Sequence, residues 1–111
     1  MDKKLTDLKQ FIGTERYFDV MGIKVTDGVK YVMDNGYSWL VTDAVAVIMT
    51  KLLKEPFLSI KLLLNADDSA RMVITDGNDK TLYEQKYGWT DAKVNVEMFC
   101  TNGVLMLTTE Y

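Results

Sequence analysis

Chemistry on this chain must come from carboxylates, one thiol and aromatic side chains, because none of the 111 residues is a histidine. Without imidazole there is no general base that titrates near neutral pH and no Ser-His or Cys-His pair for nucleophilic catalysis. The single cysteine, Cys100, occupies an inward-facing position of a strand-like segment, which is typical of a small core residue. We therefore expect no enzyme activity, no metal site and no cofactor.

Two carboxylates could still support acid–base chemistry. Asp43 lies within an otherwise apolar helical segment, where a buried carboxylate must be hydrogen-bonded and could have a raised pKa. The alternative is that Asp43 lies on a narrow polar stripe and meets Arg16 or a backbone donor. Glu15 could bind a substrate or could cap the segment that follows it. A carboxylate-based enzyme therefore stays open as the weakest of three hypotheses.

Two acidic clusters fall in turns rather than in catalytic arrangements. Asp67 and Asp68 are neighbours on a turn, so their side chains point apart into solvent. The segment from Asp76 to Asp79 lacks the acidic spacing and the closing Glu of an EF-hand, so we interpret it as a hairpin turn. Both acidic turns could meet a basic groove on a partner.

Aromatic residues with a polar tip are the most informative class, because they are favoured at protein interfaces. Tyr87-Gly88-Trp89 follows the end of a predicted strand, and we expect this pair on a binding surface, although core packing remains the alternative for each ring taken singly. The expected partner-binding residues are Tyr87, Trp89, Asp67, Asp68, Asp76 and Asp79.

Composition limits the classes of partner and the compartment. The net charge of −3 argues against direct binding to nucleic acid or to an anionic membrane, since both need an excess of Lys and Arg. One cysteine cannot form an internal disulfide, and no apolar stretch is long enough to cross a bilayer. We expect a cytoplasmic protein made of one domain, residues 1–111.

The periodicity of apolar residues changes from helical to strand-like near Pro56, which predicts an α+β fold. Three N-terminal helices are expected, over 5–12, from the N-cap residue Thr26 to a stop at Asn35-Gly36, and over 39–54. Residues 14–25 fit extended structure or one more helical turn. Five strands are expected as an antiparallel meander packed under the helices: 57–65, 71–75, 81–87, 93–100 and 104–108. The last two strands should form a hairpin through Asn102-Gly103.

Strand parity predicts that the sheet is partly apolar on both faces. The core face should carry Leu58, Ile60, Leu62, Leu64, Met72, Ile74, Val96, Met98 and Cys100. The opposite face should carry Phe57, Leu63, Val73, Phe99, Leu105 and Leu107. Either the first helix covers this second face or a partner does, and a homodimer is one such arrangement.

Several segments together resemble a family of small bacterial and phage proteins known only as a domain of unknown function. The matching segments, which span most of the chain in order, are LKQFIGTE (8–15), TDGVKY (26–31), WLVTDA (39–44), DGN (76–78) and the terminal EY (110–111). The resemblance implies no known activity, and it implies a setting in phages and other mobile elements. Small acidic proteins from that setting often block host defence machines, as anti-CRISPR proteins do.

The leading hypothesis is therefore a non-enzymatic protein-binding module that inhibits a host defence nuclease or its RNA complex. The alternative is a small-ligand or nucleotide-sensing domain with a pocket between the central helix and the sheet.

Overall fold

The computed structural model describes residues 13–111, in which a helical segment lies across one face of a seven-stranded sheet. The predicted α+β class is confirmed, whereas three helices on a five-stranded antiparallel meander are wrong. The first predicted helix, over 5–12, lies outside the described residues. No helix within 13–111 is long and apolar enough to span a membrane.

The elements are β1 (Phe18–Val20), β2 (Ile23–Val25), α1 (Asp27–Val32), α2 (Ser38–Lys51), β3 (Phe57–Leu64), β4 (Ala70–Thr75), β5 (Thr81–Tyr87), β6 (Val96–Thr101) and β7 (Val104–Leu107).

The two helices predicted within 26–54 form one kinked segment. Asn35 and Gly36 do not end the helix, as the sequence suggested, but redirect it through a wide turn, Met33–Tyr37, into α2. Gly36 has a φ of +97°, a left-handed conformation that glycine adopts without the steric cost of a Cβ. The segment ends at Lys51, about one turn earlier than expected.

The order of strands in the sheet differs from a meander. The order is β1-β2-β7-β6-β3-β4-β5, so β3, β4 and β5 form the expected antiparallel run, but β6 pairs with β3 instead of β5. The connection through residues 88–95 therefore passes along one end of the sheet rather than making a tight turn. The hairpin between β6 and β7 at Asn102-Gly103 is confirmed.

Residues 14–25, which the sequence left open, contain a short hairpin. Met21 and Gly22 form its turn with φ values of +49° and +95°, and β1 pairs with β2 on either side. β2 then pairs with β7 in parallel, which makes the sheet mixed. Strands of three residues are too short to show the alternation by which strands are recognised in a sequence.

The helical segment packs on the predicted core face of the sheet. The residues assigned to that face are buried except Leu64, which is half-buried. Leu105 and Leu107 were assigned to the opposite face, and that assignment is wrong: they lie opposite Cys100 and Met98, and directly paired residues share a face.

The other face of the sheet carries a cluster of three aromatic rings. Phe57, Phe99 and Tyr111 lie with ring centroids 5.0 to 5.7 Å apart. Leu63 and Val73 are half-buried on the same face, as predicted. The expected cover by the first helix falls on residues outside the described part of the chain.

The start of α1 is held by the far end of the chain. Thr26 caps the helix as predicted, accepting a hydrogen bond from the Val29 N–H at 3.3 Å. Its hydroxyl in turn donates to Glu110 Oε1 at 2.6 Å, and the same carboxylate accepts the N–H groups of Gly28 at 3.1 Å and Leu107 at 2.9 Å. A carboxylate at a helix N-terminus also interacts favourably with the helix dipole.

A second contact ties the segment before β1 to the same helix start. The Asp27 N–H donates to Thr14 Oγ1 at 2.9 Å, and the Asp27 carboxylate accepts the Glu15 N–H at 3.0 Å. Glu15 therefore contacts the start of α1 through its backbone N–H.

Gly28→Ala is expected to destabilise the fold, although alanine favours a helix over glycine by about 1 kcal/mol. A Cβ at position 28 would lie 2.5 Å from Glu110 Oε1 and 2.7 Å from Leu107 Cδ1, so the carboxylate would have to leave its donors. We expect the free energy of unfolding, measured by urea denaturation, to fall by about 1–3 kcal/mol.

Gly88→Ala is the matched control, because nothing lies within 4 Å of a Cβ at that position. An equal loss in both variants, or no loss at Gly28, would contradict the role assigned to the Glu110 carboxylate.

Candidate functional site

A surface cleft of about 320 Å³ opens where the first turns of α2 face the end of β5. Trp39 and Asp43 are four residues apart on α2, so their side chains lie on one face of the helix. Tyr87 ends β5 on the sheet face that α2 covers. We name this site the tryptophan cleft, because both tryptophans of the chain line it together with Asp43, Tyr87, Thr90 and Asp91.

The connection between β5 and β6 is held in place by hydrogen bonds. The Thr90 N–H donates to the Asp68 carbonyl at 2.8 Å, and the Thr90 hydroxyl accepts the Ala92 N–H at 3.1 Å. The hydroxyl of Tyr37, which is fully buried, accepts the Lys93 N–H at 3.0 Å. The backbone of the connection that carries Trp89 is therefore held at Thr90, Ala92 and Lys93.

Aromatic rings form most of the cleft wall. Trp39 meets the Tyr87 ring edge-on, with centroids 5.0 Å apart, and stacks on Tyr37 at 6.3 Å. Trp89, by contrast, is 69% exposed. Its indole therefore presents apolar surface to solvent beside the other rings that line the cleft.

Asp43 and Tyr87 form the central polar contact. The Tyr87 hydroxyl donates to Asp43 Oδ2 at 2.8 Å. Burial disfavours the phenolate, and the Asp43 carboxylate accepts the phenol's hydrogen bond and opposes a second negative charge, so the pKa of Tyr87 is raised well above its ordinary value. The expectation that Asp43 meets Arg16 or a backbone donor is wrong. Arg16 instead lies 4.0 Å from Asp27.

The structure brings together some of the predicted partner-binding residues and separates others. Tyr87 and Trp89 line the cleft, and Asp68 lies beside it through the hydrogen bond of its carbonyl to Thr90. Asp67 is exposed on the same turn, where hydrogen bonds from the Ser69 hydroxyl and N–H lower the pKa of its carboxyl.

Asp76 and Asp79 lie on the turn between β4 and β5, at the opposite end of these strands. Asp76 Oδ1 accepts the N–H groups of Asn78 at 2.8 Å and Lys80 at 3.3 Å, which fits the predicted hairpin turn. Asp79 lies near Phe57 on the other face of the sheet. The six residues therefore do not form one surface.

Sequence reasoning missed the contribution of Trp39 to the site. The signal that could have found it is its spacing of four residues from Asp43, which places both side chains on the polar stripe of α2. The contact between Asp43 and Tyr87 spans 44 positions, and no local pattern indicates it.

Metal and thiol chemistry find no support in the part of the chain that the structure describes. No three acidic or cysteine side chains there lie close enough together to hold a metal ion. Burial raises the pKa of the Cys100 thiol to about 11, so a thiolate nucleophile is scarce at neutral pH. The expectation that Cys100 is a core residue is confirmed.

The fold and the cleft together define a class: an α+β domain with a kinked helix over a mixed sheet and an aromatic, acidic cleft at one sheet end. The chain belongs to the family of unknown function DUF6876, whose family model matches residues 2–111. The resemblance inferred from the sequence is thus confirmed. Neither the curated proteins nor the solved structures contain a match to this chain.

Three of the segments that carry the family resemblance meet in the structure. Thr14 and Glu15 contact Asp27, and Glu110 contacts Thr26 and Gly28 through the hydrogen bonds described above. These three segments are joined by hydrogen bonds at the start of α1. The WLVTDA segment (39–44) instead supplies Trp39 and Asp43 to the cleft.

The raised pKa of Tyr87 predicts a loss of stability in alkali that depends on this one phenol. Above about pH 10 the unfolded phenol ionises while the native phenol keeps its proton, so unfolding releases a proton. The contribution is complete below about pH 10 and is lost as the pH rises toward the folded-state pKa. Urea denaturation at a series of pH values should show a steeper alkaline decline for the wild type than for Tyr87→Phe.

Tyr17→Phe removes the hydroxyl of an exposed tyrosine and is the matched control. If wild type, control and Tyr87→Phe lose stability in parallel above pH 10, the half-buried contact between Tyr87 and Asp43 is not present as described.

Proposed function

We propose that this protein is a non-enzymatic protein-binding module from a phage or mobile element, and that the tryptophan cleft is its partner-binding surface. The observation that carries the proposal is Trp89, which is 69% exposed on a connection whose backbone is held by hydrogen bonds at Thr90 and Lys93. Large aromatic anchors in this setting are typical of binding hot spots. A fixed backbone also lowers the entropy lost on association.

The chemistry of the cleft favours binding over catalysis. Its carboxylate Asp43 accepts a hydrogen bond from Tyr87, whose raised pKa keeps the phenol protonated and therefore a donor. A general base near neutral pH would need a titratable group poised near that pH, and the Tyr87 phenol instead keeps its proton far above it. The sequence has no histidine that could supply one.

Within the binding class, we propose an inhibitor of a host defence nuclease, of the anti-CRISPR kind. The support is the net charge of −3, Asp91 in the cleft, the turn of Asp67 and Asp68 that is hydrogen-bonded to Thr90, and the mobile-element setting that the family resemblance implies. A nuclease presents a basic groove to its nucleic acid, and acidic groups that face such a groove increase the association rate.

A small-ligand or nucleotide-sensing domain is the second candidate, and one observation favours it. The cleft lies between α2 and the sheet, where that hypothesis places its pocket, and about 320 Å³ is near the lower end of ligand-site volumes. Ligand binding at this site would raise the melting temperature in a metabolite screen. No shift across a broad library would count against this candidate.

Trp89→Ala and Tyr87→Ala are each expected to abolish capture of the partner when the tagged protein is used to purify complexes from host lysate. Each substitution removes an aromatic anchor whose loss costs at least about 2 kcal/mol, or roughly thirtyfold in affinity, at a hot spot. Capture is quantified by mass spectrometry, and circular dichroism checks that each variant is folded.

Tyr17→Ala is the matched control, because Tyr17 is also exposed, at 58%, and lies away from the cleft. Undiminished capture by both cleft variants would refute the assignment of the partner-binding surface.

A further inference from the structure

We infer that the tryptophan cleft binds the guanidinium group of an arginine side chain on the partner. The inference rests on the proposed function, since it specifies what the same surface recognises. It is drawn from two features of the cleft: its aromatic walls and the Asp43 carboxylate.

The aromatic walls suit a cation. The negative face of an aromatic ring attracts a positive charge, and tryptophan does so most strongly. Both tryptophans of the chain lie here, with the Tyr87 ring between α2 and the connection that carries Trp89. Trp39 already has the Tyr87 ring against it, so the exposed indole of Trp89 offers the larger free aromatic surface.

The Asp43 carboxylate adds a negative charge in the same space. Asp43 lines the cleft and uses Oδ2 to accept the hydrogen bond of the Tyr87 hydroxyl. A carboxylate has about four acceptor sites, so this one bond leaves Asp43 able to accept more. Within residues 13–111, the side chains that line the cleft beside Asp43 include no Lys or Arg.

Elsewhere in the described residues, aromatic rings are already paired with cations of the chain itself. Arg16 lies 5.6 Å from the centroid of the Phe18 ring and 4.0 Å from the Asp27 carboxylate. Lys51 lies 5.4 Å from the centroid of the Tyr83 ring. Among the cation–ring contacts within residues 13–111, none involves either tryptophan. These contacts thus leave the indole faces of Trp39 and Trp89 without a cation from residues 13–111.

Arginine fits this site better than lysine does. Its planar guanidinium can stack on an indole face while two of its N–H groups donate to one carboxylate, whereas an ammonium group acts as a point charge. A nuclease groove is also rich in arginine, because its bidentate donors match phosphate. The guanidinium would then be bound here instead of to nucleic acid.

The test is an NMR titration that observes the two indole Nε1–H signals of the intact protein. Because both tryptophans line the cleft, both signals report on it. The ligand is N-acetyl-argininamide, and the control ligand is N-acetyl-citrullinamide, which has the same shape without the charge. We expect saturable shifts of both signals with the arginine compound and none with the citrulline compound.

Asp43→Asn provides the test from the side of the protein, because the amide oxygen can still accept the Tyr87 hydroxyl while the charge is lost. We expect the affinity for N-acetyl-argininamide to fall by at least about tenfold, since a hydrogen bond to a charged group contributes about 1.5–3 kcal/mol. Asp79→Asn removes the same charge at the opposite end of the sheet and is the matched control, with unchanged affinity expected. Asn also tolerates the positive φ of +70° at that position.

Equal responses to the two ligands, or unchanged affinity in Asp43→Asn, would overturn the arginine assignment. That result is distinguishable from failure of the proposed function. If the arginine compound does not bind but Trp89→Ala still abolishes lysate capture, the surface is correct and its ligand class is wrong. If capture survives both cleft substitutions, the proposed function itself is wrong.

Discussion

The Glu110 carboxylate at the start of α1 is the interaction on which the rest of the structure depends. It accepts hydrogen bonds from the Thr26 hydroxyl and from the N–H groups of Gly28 and Leu107, and so joins the last turn of the chain to the first turn of the helix. β7 leads directly into that last turn, and β2 leads directly into Thr26, so the contact also supports the parallel pairing of these two strands. The direction in which the helix crosses the sheet is set at this point.

The kink at Gly36 determines how α2 reaches the tryptophan cleft. Because the helix bends there instead of ending, α2 continues over the sheet and carries Trp39 and Asp43 to the end of β5. The kink also buries Tyr37, whose hydroxyl binds the backbone at Lys93 and fixes the connection that presents Trp89. One helical segment therefore provides a wall of the cleft and the support for the opposite wall.

Local patterns in the sequence are enough to predict the parts of this fold that depend on neighbouring residues. The Thr26 cap, the strands around β3 to β5 and the turn at Asn102-Gly103 are of this kind, as is the exposed position of Trp89 after a strand end. The parallel pairing of β2 with β7 and the insertion of β6 beside β3 depend on contacts between distant segments, and strands as short as β1 and β2 carry no alternation to reveal them. Local patterns also cannot predict the central contact of the site, because Asp43 and Tyr87 are 44 positions apart in the sequence. The sequence does allow the prediction that Asp67 and Asp68 lie far from Asp76 and Asp79, because the two turns that flank β4 must lie at opposite ends of that strand.

The measurement that tests the central claim most directly is hydrogen–deuterium exchange on the complex captured from host lysate, compared with the free protein. The account predicts slower exchange, on binding, in the connection over residues 88–95 and in the first turns of α2, where the tryptophan cleft lies. Slower exchange confined to β6, β7 and the last residues, around the aromatic cluster of Phe57, Phe99 and Tyr111, with none in the cleft, would contradict it.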